Sequence, residues 1–284
     1  MRHYRLYMLL LLSAFTQCTN AQKKVLLNGS LSPNKVYKTE MNNQMNMVMN
    51  MSGDSAMMEQ LSASGMKSPM TMTMNQGMFM TTKTGATQAD KKIPVTITYD
   101  KMSVTTNIGG QENTQETNPF SDAVIKGTTE GDGKIKVDTI IGNLDEGMRA
   151  NLKTIVNNIQ AAIKFPENEL KIGDSFDQET PLVMPIAQMQ VKMKVHAKYT
   201  LKEIKGSKAI FDLKQDIAMD MSMTDTPYKI TGTGSGTGMM IFDIDKKMMD
   251  KSDADTKYKI DMEINGMKMD MDCNAKTSVK MEVE

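Results

Sequence analysis

The side chains best suited to chemistry in this sequence are sulfurs. Met45, Met47, Met49 and Met51 recur at every second position, and Met70, Met72 and Met74 do the same further on. Thioethers are soft donors that select Cu(I) or Ag(I), so two such runs could place three or four sulfurs around one ion. The same parity recurs in Met219, Met221 and Met223 and in Met267, Met269 and Met271, beside Val, Ile and Tyr. There the plainer reading is packing, because methionine is a flexible filler of irregular apolar space. For the first two runs both readings stand: a core face, or a periplasmic soft-metal site.

A second signal is an absence of side chains. Gly232, Gly234, Gly236 and Gly238 continue the parity of Tyr228, Ile230, Met240 and Phe242. Their strict spacing of two is not the GxGxxG of a nucleotide loop. A bare strip on a sheet invites close approach. The occupant is either a helix or an apolar, lipid-like ligand in a cavity against these glycines.

Catalytic templates fail. Beyond the first 21 residues His196 is the lone histidine, and a triad needs an oriented base and nucleophile. Neither GxSxG nor HExxH occurs. Gly133-Lys134 runs into Ile135 without the upstream glycine of a phosphate loop. Asp270, Asp272 and Asn274 begin like a calcium loop, but Ala275 stands where glycine is needed and Met281 where glutamate is needed. Asp245, Asp250, Asp253 and Asp255 gather near one turn, yet Lys246, Lys247 and Lys251 are interleaved among them. The expectation is a non-enzyme with no cofactor.

The chain has 284 residues, 34 basic and 34 acidic side chains, two cysteines and no tryptophan. Zero net charge leaves no electrostatic footprint for nucleic acid. Arg2 and Arg5 precede an apolar run over 6–15, too short to span a bilayer and right for a signal peptide. Cleavage after Ala21 has small residues at Thr19 and Ala21; acylation of Cys18 is the alternative, giving an outer-membrane lipoprotein. The expected location is periplasmic or secreted, with no transmembrane span. Either way Cys273 has no partner for an internal disulfide. Over 22–284, Leu, Ile, Val and Phe make up only about 19% of residues, near the range of disordered chains. The 30 methionines of that stretch restore a globular apolar content.

The elements that must position these residues are strands. Residues 267–283 alternate Met, Cys, Ala and Val with Lys, Asp and Asn, the pattern of a half-buried strand. Residues 187–199, 211–223 and 258–264 alternate likewise, with turns at Lys205-Gly206-Ser207 and Asn265-Gly266. Strands are also expected from 35, over 70–80, over 94–106, and as a hairpin around Gly131-Asp132-Gly133. Residues 52–68 read as loop. One helix is expected at 143–164, with Asn143 as N-cap, Leu144, Met148, Leu152, Ile155, Val156, Ile159 and Ile163 as its stripe, and Pro166 as its stop. Leu31-Ser-Pro-Asn-Lys-Val-Tyr37 and Leu170-Lys-Ile-Gly-Asp-Ser-Phe176 read as two similar lead-ins to strands. They suggest lobes 22–142 and 165–284 joined by the helix, within one exported domain over 22–284.

The Leu170–Phe176 lead-in, the Tyr199-Thr-Leu-Lys-Glu-Ile-Lys-Gly segment and the strand over 232–243 resemble uncharacterised exported proteins of the Bacteroidota. A helix laid in a curved antiparallel sheet is similar in architecture to LolA/LppX-type lipoprotein carriers. The layout of strands, one helix and further strands predicts an α+β fold, predominantly antiparallel, with a large curved sheet or open half-barrel and one long amphipathic helix on its apolar face. A lipid-like ligand between helix and sheet is the matching expectation.

Overall fold

The computed structural model describes residues 23–63, 67–115, 120–130, 134–159, 163–186, 189–222, 228–264 and 266–284. Residues 1–22, which hold the expected leader, lie outside them, as do Gly131-Asp132-Gly133, Met223 and Asn265. The strands are β1 (Lys24–Val25), β2 (Val36–Ser52), β3 (Met70–Thr84), β4 (Ile93–Ile108), β5 (Gln111–Gln115), β6 (Val124–Thr129), β7 (Ile135–Ile141), β8 (Leu170–Lys171), β9 (Ser175–Ile186), β10 (Met189–Lys205), β11 (Lys208–Ser222), β12 (Tyr228–Asp243), β13 (Met248–Ile264) and β14 (Met267–Val283). Two helices interrupt them, α1 (Ser55–Ala63) and α2 (Glu146–Ile159).

Twelve strands form one sheet in the order β7-β6-β4-β3-β2-β14-β13-β12-β11-β10-β9, with β5 beside β4. Every pairing is antiparallel, as hairpin-linked alternating strands require. Positive-φ glycines close the tightest turns, Gly206 at 58° and Gly266 at 84°. The ladder of β2 with β14, from Tyr37 opposite Val283 to Ser52 opposite Lys268, joins both halves of the chain. The two lead-ins share a turn: Asn34 (φ 57°) and Gly173 (φ 95°) occupy the same place in each. Each delivers a buried aromatic, Tyr37 or Phe176, three residues later.

Packing is concentrated at one end of the sheet, the end carrying the turns at 205–208 and 243–248. On the apolar face there, Phe176, Leu201, Phe211, Met240 and Phe242 cluster with Val25 and Leu27, and Phe165 packs against them. Phe165 meets Phe242 edge-on at 4.7 Å, and Phe176 stacks on Tyr199 at 5.0 Å. A second cluster joins Met78, Met80, Val95, Ile97, Tyr99 and Ile125 to Leu152 and Val156 of α2. The segment over 25–31 runs between the two clusters, and Ser30 N–H donates to Lys247 O at 2.9 Å on the way.

This arrangement requires the sheet to curl. Helix α2 touches β9 while burying Leu152 and Val156 among residues of β3, β4 and β6. In a flat sheet β3 and β9 would stand seven strand spacings apart, about 34 Å. A helix of 14 residues is only about 21 Å long. The apolar face is therefore the inward one. Among the described residues no ladder joins β7 to β9, so the sheet stays open.

The expected α+β fold with a long amphipathic helix is corrected here. Among the described residues the molecule is mostly antiparallel strand with two short helices, and α2 covers only one end of the sheet's apolar face instead of running along it. Its N-cap is Asp145, not Asn143: Asp145 Oδ1 accepts from Met148 N–H at 2.7 Å. Arg149 donates to the carbonyls of Ile140 and Gly142, pinning the first turn to the end of β7. Ile163 and Phe165 lie past α2 and fill the aromatic cluster instead of extending the helical stripe. The stretch over 52–68 holds α1 where a loop was expected, because Asp54 Oδ1 accepts from Met57 N–H at 2.8 Å and starts a turn. No side chain of α1 is buried.

Candidate functional site

Antiparallel register turns the methionine runs into rows that cross the sheet. Met70 lies opposite Met49, which lies opposite Met271; the row continues through Ile260, Gly232, Met219 and Met193. The next row reads Met72, Met47, Cys273, Tyr258, Gly234, Ile217 and Val195. The third pairs Met74 with Met45 and then passes Ala275, Thr256 and Gly236. All three lie in the half of the sheet away from the aromatic cluster.

Burial along these rows is uneven. Met51, Met193, Met219 and Met271 are buried, and Cys273 is 2% exposed. Met45, Met47, Met49, Met70, Met72 and Met74 are only half-buried, as are Met267 and Met269 at the rim. The cluster here comprises Met193, Met219, Ile230, Ile260, Met271 and Cys273, flanked by Met47, Met49, Tyr258 and Met262. Every member belongs to the sheet itself. Among the described residues, neither α2 nor the segment over 25–31 reaches this cluster, so the face that is filled at one end stands half-covered at the other.

The glycine run has a local occupant. A Cβ on Gly232 would stand 2.7 Å from Lys259 O, one on Gly234 2.5 Å from Tyr258 Cβ, and one on Gly236 2.7 Å from Thr256 Oγ1. At Gly238 the obstacle is Asp253 O. Each obstacle belongs to β13, not to the helix. The four glycines let β13 bend tightly against β12, the device by which curled sheets turn a corner. Met219 Sδ of β11 also stands 3.4 Å from the Gly232 position.

Two groups in this region have shifted ionisation. Burial, with the nearby Asp272 charge, pushes the Cys273 thiol up to about 11, so it is protonated at neutral pH. Burial likewise pushes Tyr258 up to about 12, and its hydroxyl donates to Met45 Sδ at 2.9 Å. Sequence reading missed both contacts. Met47 and Cys273 are opposed only because β2 pairs with β14, which no local pattern encodes.

The opposite face is charged and wet. Lys257, Lys259, Asp261 and Glu263 are exposed along β13, and Asp272 pairs with Lys259 at 3.4 Å. His196 stands there, half exposed, 3.5 Å from Asp177. Asp250 pairs with Lys208 at 2.8 Å and Asp253 with Lys251 at 2.7 Å, so lysines neutralise the aspartates near that turn. Among the described residues, no group of three His, Cys, Asp or Glu is placed to hold a metal ion. A cavity of about 810 Å³ is lined by Asn42, Gln44, Asn75, Ser103, Thr105, Met239 and Lys276 among others. Within it Ser278 donates to Asp253 at 2.7 Å.

No protein-family model matches the chain, and no curated protein matches it. Among solved structures it is similar to OccK7 (OpdD) of Pseudomonas aeruginosa, with 6% identity and a TM-score of 0.26 over 88% of this chain and 99% of that one. It is also similar to an outer membrane channel of Pseudomonas putida F1, with 9% identity and a TM-score of 0.19 over 91% and 97%. Likeness at this level carries no argument about fold or function. No helix among the described residues is long and apolar enough to cross a membrane.

Proposed function

We propose that the chain is an exported, non-enzymatic protein that holds an apolar or lipid-like molecule against the methionine-lined half of its sheet. The observation that carries this is the uneven filling of one face. The apolar rows run the length of the strands, yet aromatic and helical groups cover them at one end only. Half-covered apolar surface of this extent marks an interaction site. Methionine suits it, since a thioether surface adapts to ligands of variable shape. The face is inward, and the charged face is outward. A membrane-spanning barrel needs the reverse, an apolar band facing lipid. Export rests on Arg2, Arg5 and the apolar run before Ala21; the destination is periplasm or medium, or the outer membrane if Cys18 is acylated.

The test is native mass spectrometry of protein secreted by its own leader, followed by binding of a fluorescent fatty acid. A retained apolar molecule and saturable probe binding are expected. Met72→Glu, at a half-buried position, should weaken probe binding while leaving thermal unfolding cooperative. Absence of both retained lipid and probe binding in the wild type would reject the proposal.

A further inference from the structure

Four cross-strand pairs along β2 and β3 consist solely of methionine: Met41–Met78, whose Met78 is buried in the second cluster, and Met45–Met74, Met47–Met72 and Met49–Met70, which are half-buried. Directly opposed residues have Cβ atoms about 4.5–5.5 Å apart. Each methionine adds flexible torsions beyond Cβ, so opposed sulfurs on one face can converge on one ion. Exposure sets this strip apart from the rest of the sheet. In the same rows Met193, Met219 and Met271 are buried and serve as core. The six methionines of the β2–β3 strip are half-buried, so their sulfurs are not used up by packing.

The chemistry of the strip narrows the ligand. Its donors are neutral sulfurs, and the rows that hold them contain no carboxylate. Hard cations need oxygen donors, whereas Cu(I) and Ag(I) take thioethers. All six sulfur-bearing side chains are half-buried, so an ion can arrive without the sheet opening. Met45 is already engaged by the Tyr258 hydroxyl. We infer that Met47, Met49, Met70 and Met72 form a site for a soft monovalent cation, Cu(I) or Ag(I), on the β2–β3 strip. This site is independent of the apolar-ligand reading. Cys273 of β14 lies opposite Met47 and is not one of the four ligands assigned here.

The experiment uses the full chain with ¹³C-methyl-labelled methionine and silver nitrate in chloride-free buffer, Ag(I) being inert to oxidation. Saturable shifts are expected for the methyls of Met47, Met49, Met70 and Met72, with Met193 and Met240 unmoved. The resolved methyls also separate this site from any silver held by Cys18. Replacing the four by Leu should lower Ag(I) affinity by about tenfold or more, while fatty-acid binding persists because the face stays apolar. Uniform shifts across all methionines, or no shifts, would each overturn the assignment. Should the fourfold variant fail to fold, the wild-type spectrum decides alone.

Discussion

Gly234→Ala tests whether the glycine run exists to let β13 approach. The new Cβ would stand 2.5 Å from Tyr258 Cβ and 2.8 Å from Lys257 O. Ordinary contact begins at 3.4 Å, so β13 must retreat by about 0.9 Å, on ordinary packing grounds. Gly234 pairs directly with Tyr258. A ladder bond lengthened from about 2.9 to about 3.8 Å is no longer a hydrogen bond. Losing one or two such bonds costs about 1 kcal/mol each, and overpacking adds about 1–3 kcal/mol. Alanine's smaller entropy loss in a strand returns only about 0.5–1 kcal/mol. The net expectation is destabilisation of about 2–3 kcal/mol, a fall in melting temperature of roughly 5–10 °C. Urea unfolding followed by circular dichroism measures it, with Thr233→Ala on the exposed face as a control expected within about 0.5 kcal/mol. A Gly234→Ala protein as stable as wild type would refute the close-approach explanation. The bare strip would then need an occupant other than β13.

Leu152, fully buried in α2, should cost about 2–5 kcal/mol when truncated to alanine, read by the same unfolding assay. Burial by itself would raise the Asp243 carboxyl, but Lys208 at 2.6 Å and the backbone N–H groups of Lys246 and Asp245 hold it below the usual carboxylate range. Its stabilisation is thus present above about pH 4 and lost as pH falls through the depressed value; an Asp243→Asn protein should show a flatter acid limb, and an unchanged limb would contradict this. Cys273, buried with its thiol raised to about 11, should resist iodoacetamide at pH 8 until denaturant is added. Peptide mass spectrometry reads the modification, and rapid labelling of the native protein would show that the face is open.

Local pattern was enough to identify most strands. Alternation over 267–283 fixes which side chains of β14 share a face, because the pleat has period two whatever the strand pairs with. The same holds for β2, β3, β10 and β13, and the methionine rows on one face follow from it. Turn chemistry was legible where it is local, at Gly206 and Gly266. The helix was legible as a stripe but not in extent. Its first turn is set by Asp145 and by Arg149 reaching the end of β7, and the aromatic cluster captures Phe165 beyond it. What only the tertiary structure decided is who faces whom. Pairing β2 with β14 sets Met47 against Cys273 and Met49 against Met271, residues more than two hundred positions apart. Curling sets the apolar face inward and brings β13 onto the glycines, so that the strip is filled by its own sheet. Burial then divides methionines that look alike in sequence: Met271 is core, while Met47 and Met72 remain half-covered. Parity records a residue's side of one strand; depth depends on everything packed over it, and that is settled by contacts between distant segments.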